Sequence, residues 1–218
     1  MEAQVDPTDR PSAGAVWSPP SRRRGNRLRF ALGAGLAGAL VVSGTFVAAP
    51  AEATSGLSDG FETPVVTPRT FKTFSSGQSL GAWTVTGGTV DLNGAGFWQS
   101  AEGVQSLDLN GHIPGAVART IPANLLTKYR VSYALAGNTD AGPVVKTGKV
   151  LVNGEVEQNF SFDITGKSRT DMGYVTKQFT FLSSGTSATL KFASTTPGAY
   201  GPVIDKVQVE SCLLVLCL

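Results

Sequence analysis

Residues 82–94 read AWTVTGGTVDLNG, two short runs of β-forming residues on either side of Gly87-Gly88. Trp83 alternates with Val85, which places both on one face of a strand and makes Trp83 a core residue. The glycine pair suits a tight hairpin turn, so the stretch is expected to be two paired strands.

The same grammar continues downstream. YRVSYALAG (129–137) puts Tyr129, Val131, Tyr133 and Leu135 on one face, and KVLVNGEVEQNFSF (149–162) predicts a second hairpin with Asn153-Gly154 at its turn. YVTKQFTFLSSGTSATLKFAS (174–194) supplies a third strand pair, with Val175, Phe179 and Phe181 in extended runs. No segment carries sustained helical periodicity. About ten strands at this spacing indicate an all-β sandwich or barrel, and the chain from Thr54 onward is long enough for one good core.

The first part of the chain follows different rules. Residues 1–29 are rich in Pro, Ser and charge, ending in Arg22, Arg23, Arg24, Arg27 and Arg29. Residues 30–53 hold a weakly apolar run from Phe30 to Ala49, followed by APAEA, where Ala49/Ala51 and Ala51/Ala53 fit a small-x-small cleavage pattern. This is the layout of an export signal and predicts a secreted or extracellular protein, associated with the cell surface if it stays attached. The alternative is a retained anchor, because about twenty residues span a bilayer, but Gly33, Gly35, Gly38 and Gly44 make a poor one. SRRRGNRL (21–28) hints at twin-arginine export, against which Gly25 and Asn26 stand where apolar residues are usual.

Six arginines and four acidic residues lie within residues 1–53, which leaves twelve basic and twelve acidic side chains in the remainder. The exported part is therefore near neutral. It has no basic stripe to neutralise a phosphate backbone, so nucleic acid is not an expected partner, and no membrane contact is expected after signal cleavage. Cys212 and Cys217 close the chain in the apolar tail 211–218. A local disulfide between them is the expectation in an oxidising compartment, with intermolecular pairing or free thiols as alternatives.

Most enzyme classes lack their residues. His112 is the single histidine, in the turn-like LNGHIPG, and there is no G-x-S-x-G, H-E-x-x-H or phosphate loop. Carboxylate pairs drawn from Asp91, Glu102, Asp108, Asp140, Asp163 and Asp205 keep a glycoside hydrolase as the less favoured reading. Sugar recognition asks instead for apolar faces and a few placed polar groups. Phe97 and Trp98 in GAGFWQSAEG and Tyr200 in TTPGAYGP would supply the faces, and Asn110, His112, Asn138 and Asp140 the polar contacts.

DGFETP (59–64) and YGPVIDKVQVE (200–210) connect the two ends of this region. They resemble the first and last strands of galactose-binding-like jelly rolls. WTVTGGTVDL, GVQSLDLNG, PGAV, YALAGN, TGKSRTDMGYVTKQFTF and FASTTPGAYGPVID between them are similar to the bacterial choice-of-anchor C family, and more distantly to plant cell-wall proteins with the same domain type. The resemblance spans residues 56–210. It departs at Asp59, where Asn is common. It implies a galactose-binding-like jelly-roll β-sandwich that binds extracellular or cell-wall polysaccharide without catalysis, an adhesion or matrix protein with protein partners being the rival. It also implies a structural calcium held by Glu62 and Asp205; an ordinary turn is the alternative for Glu62.

Overall fold

The computed structural model describes residues 56–212. No helix occurs among them. In chain order the strands are β1 (Ser58–Asp59), β2 (Phe71–Ser75), β3 (Ser79–Leu80), β4 (Trp83–Gly87), β5 (Thr89–Asn93), β6 (Ser106–Asp108) and β7 (Ala116–Pro122). They continue as β8 (Lys128–Gly137), β9 (Val145–Val152), β10 (Glu155–Asp163), β11 (Val175–Leu182), β12 (Ser187–Ser194) and β13 (Pro202–Ser211).

Two antiparallel sheets result. One runs β11-β8-β13-β6-β5-β2, with β1 paired to β13 beside this path; the other runs β10-β9-β12-β7-β4-β3. This is the expected all-β jelly-roll sandwich. Alternation supplies the core: Tyr129, Val131, Tyr133 and Leu135 of β8 face Phe160, Leu190 and Phe192 of the opposite sheet, all buried. Trp83 is 1% exposed, with its ring centroid 5.7 Å from Phe61 and 5.9 Å from Phe192, which confirms it as core.

Two expected strand pairs are not pairs. β4 and β5 belong to different sheets, β4 bonding to β3 and β7, and β5 to β2 and β6. Gly88 alone lies between them, too short a loop for a two-residue hairpin, and the chain turns a corner from one sheet to the other. β11 and β12 likewise pair with β8 in one sheet and with β7 and β9 in the other. The Asn153-Gly154 hairpin is as expected: Val152 sits opposite Glu155, and both loop residues have positive φ, 51° and 93°.

β1 lies against the far end of β13, with Ser58 opposite Gln208 and Val209 N–H donating to the Leu57 carbonyl. Cys212 N–H donates to the Lys128 carbonyl at that same end. Cys212 is disulfide-bonded, and Cys217, its expected partner, lies outside the described residues, as do the leader and most of the tail.

Candidate functional site

DGFETP turns out to be a clamp. Asp59 Oδ2 accepts the Trp83 indole N–H at 3.1 Å and pairs with the Arg119 guanidinium at 2.7 Å, while Oδ1 accepts Phe61 N–H at 3.0 Å. These bonds hold Phe61 at φ 58°, a left-handed conformation that costs a bulky residue roughly 1–3 kcal/mol. Burial of the ring to 1% exposure offsets that cost.

Glu62 and Asp205 both grip the loop that precedes β6. Glu62 Oε1 accepts the Val104 and Gln105 N–H groups at 2.9 Å each, and Asp205 Oδ2 accepts Ala101 and Glu102 N–H at 2.7 and 2.9 Å. Asp205 Oδ1 also accepts Lys206 N–H at 2.6 Å. One oxygen of each carboxylate thus has both lone pairs filled by amide hydrogens. As a calcium cage the two are a poor fit, because that ion asks for six to eight free oxygen ligands. Among the described residues no group of three or more His, Cys, Asp or Glu is placed to hold a metal ion. Burial, with Glu102 close by, raises the Asp205 carboxyl to about 6 despite its amide donors.

The face of the first sheet turned away from the core carries a cavity of about 180 Å³. Phe71, Phe97, Trp98 and Tyr200 wall it, and Asp91, Asn93, Asp108, His112, Asn138 and Asp140 add its polar groups. Residues far apart in sequence meet here because β2, β5 and β6 lie side by side and turn alternate residues to this face, with Phe71 opposite Asn93 and Asp91 opposite Asp108. The start of β13 and the loop after β8 complete the rim.

Six of the seven sequence-derived sugar contacts line this cavity: Phe97, Trp98, His112, Asn138, Asp140 and Tyr200. Their roles differ. Tyr200 is 40% exposed, whereas Trp98 is 6% exposed and donates its indole N–H to Ser106 Oγ at 2.7 Å, so it is wall rather than platform. Asp140 is held bidentately by Arg169, at 2.7 Å for each bond, and the same guanidinium lies 4.7 Å from the Phe97 ring centroid. Asn110 does not line the cavity. It is fully buried and ties its loop to the carbonyls of Thr196 and Gly198.

Two buried ionisable residues set the loops, Asp108 in the lining and Lys146 behind it. Asp108 Oδ1 accepts Asn110 and Gly201 N–H and Oδ2 accepts the Asn138 amide, yet burial, with Asp91 adjacent, raises its carboxyl to about 8. Lys146 Nζ donates to the carbonyls of Ala141 (2.7 Å) and Tyr200 (2.9 Å), which joins two rim loops, and burial lowers its pKa. Phe71, Asn93, Lys146 and Arg169 were missed by sequence reasoning, and Asp91 and Asp108 were read only as candidate catalytic acids. Lys146 had a signal: it shares the inward face of β9 with Val150 and Val152, where an apolar residue belongs.

The chain belongs to the DUF642 family, described as a protein of unknown function, whose pattern matches residues 57–210. It is also 28% identical over 134 residues to halomucin of Haloquadratum walsbyi, an alignment that takes in 60% of this chain and 1% of that one. The chain therefore corresponds to a small fraction of the curated relative's length. Among solved structures, a family 35 carbohydrate-binding module from Clostridium thermocellum aligns with a TM-score of 0.44 and 11% identity, over 71% of this chain and 97% of that one. A xylan-binding family 22 module from Paenibacillus barcinonensis aligns with a TM-score of 0.44 and 21% identity, over 67% and 96%. The tandem family 22 pair from the same organism reaches 0.49 and 22%, over 75% and 47%.

Proposed function

We propose that this is an exported, noncatalytic module that binds extracellular or cell-wall polysaccharide in the cavity on the outward face of the first sheet. The convergence of four aromatic side chains with amides and carboxylates at one small cavity carries the reading. Apolar ring faces suit the C–H side of a pyranose, and the polar groups suit its hydroxyls. Asp108 does not serve as a catalytic acid in this reading, because it is 1% exposed and both its oxygens are engaged by protein donors. Kinship with the choice-of-anchor C proteins, and calcium at Glu62 and Asp205, are not needed for it.

Retention of the full chain on a panel of insoluble polysaccharides and peptidoglycan tests the proposal. Phe71→Ala and Tyr200→Ala, at exposed cavity aromatics, are expected to weaken retention about tenfold without lowering the melting temperature. Trp98→Ala is a poorer probe, since a buried Trp truncation costs roughly 3–5 kcal/mol in folding. No retention of the folded chain on any polymer would sink the reading.

A second reading, protein adhesion, is favoured by the other end of the sandwich. There a cleft of about 380 Å³ is lined by Leu57, Ile121, Pro122, Ala123, Tyr129 and Val209, among others. Leu125, Leu126 and Leu182 are 60–73% exposed. Apolar exposure of this kind suits a protein partner.

A further inference from the structure

The floor of the cavity is built of hydrogen-bond acceptors. Asn93 is 2% exposed and donates its amide hydrogens to the carbonyls of Asp91 and Ser106, at 3.1 and 3.3 Å. Its Oδ1 has no donor among the described residues. Asp91 lies two residues earlier on the same face of β5; its Oδ1 takes the Thr73 hydroxyl at 2.6 Å, and its Oδ2 has no donor among the described residues. Burial holds the Asp91 carboxyl above the usual range, with the Thr73 bond and nearby His112 working against the rise. This is a desolvated carboxylate with incomplete compensation.

The cations nearby are committed elsewhere. Arg169 is bound at both ends of its fork to Asp140, and Lys146 Nζ is bonded to two carbonyls behind the lining. Among the residues that line the cavity His112 is the one base, beside Asp91, Asp108 and Asp140. An anionic sugar entering this cavity meets the Asp91 carboxylate, while a cationic one meets two acceptor oxygens without protein donors between aromatic rings.

Resting on the carbohydrate reading above, we infer that the cavity selects sugars with a free, protonated amino group, whose ammonium donates to Asp91 Oδ2 and Asn93 Oδ1. An N-acetylated sugar loses the charge and two of the three N–H donors. A uronic acid brings like charge toward Asp91 and is excluded.

The test measures the affinity of the full chain for glucosamine oligomers, the matching N-acetylglucosamine oligomers and galacturonate oligomers, at about pH 6, where the amine is protonated. The amino oligomer should bind about tenfold or more tightly than its acetylated match, with no binding of the uronate. Raising salt to about 0.5 M should erode the preference. Asp91→Asn should bring the ratio toward one, and Asn93→Asp should increase it, so a folding failure of either variant leaves the other decisive. Equal affinities or a uronate preference would overturn the inference while leaving the carbohydrate module standing. Spermine bound as tightly as the amino oligomer would overturn it in favour of a general cation site. No sugar bound by the folded chain would overturn both.

Discussion

Two glycine turns, Gly87-Gly88 and Asn153-Gly154, carry the same outward signature of β-formers around a turn, yet one turns a corner between sheets and the other closes a hairpin. The difference lies in what surrounds the second glycine. A Cβ on Gly88 would overlap the Pro114 carbonyl oxygen, because the loop before β7 lies directly on the corner, whereas a Cβ on Gly154 would meet nothing within 4 Å. Gly88 answers to a tertiary neighbour as well as to its φ of 54°, and Gly154 answers to its φ of 93° alone. A local pattern reports the second kind of demand and is silent on the first.

The strongest way to break this comparison is Gly88→Ala. Positive φ and a backbone clash together should cost more than about 4 kcal/mol, read by denaturant unfolding; a loss near 1 kcal/mol would mean that the Pro114 loop yields easily. Asp59→Ala attacks the other end of β4, since Asp59 fixes Trp83, the first residue of that strand, and pairs with Arg119. Loss of both partners should cost about 2–3 kcal/mol. Gly154→Ala, with only backbone conformation against it, should cost about 1–2 kcal/mol. Equal losses at the two glycines would erase the distinction.

Acid sharpens the contrast further. The loop over Gly88 is anchored at Asp108, whose carboxyl stands at about 8 in the folded chain against an unfolded value of 3.8. Between these values the folded state holds more protons than the unfolded, so stability falls as pH rises through the window and is regained on acidification. Asp205, raised to about 6, adds to the lower half of that window. The melting temperature should rise by several degrees from pH 8 toward about pH 5, and Asp108→Asn should flatten the upper part of the profile. The smallest expected effect is that of a chelator: with one oxygen each of Glu62 and Asp205 already filled by two amides, the melting temperature should not move.

Sandwich class, strand faces and the Asn-Gly hairpin were legible because alternation and turn chemistry are local. Trp83 with Val85 would face a core equally well from a hairpin or from one side of a corner, so the pattern could not choose between them. The cavity was half legible. Its aromatics announce themselves in glycine-rich segments, but Phe71 looked like one more strand residue until β2 ended beside Asn93. Glu62 drew attention for sound reasons, but the amide grip it exerts on Val104 and Gln105 was not legible, since carboxylates that hold backbone amides and carboxylates that hold ions look alike in a one-dimensional string.

β13 runs ten residues from the cavity rim to the end where β1 begins and Cys212 is bonded, about 30 Å at the usual rise per residue. The first and last described residues therefore meet at one end of a single strand, Gly56 against Val209 and Cys212 on the Lys128 carbonyl, so that β13 serves as the seam on which the described sandwich closes.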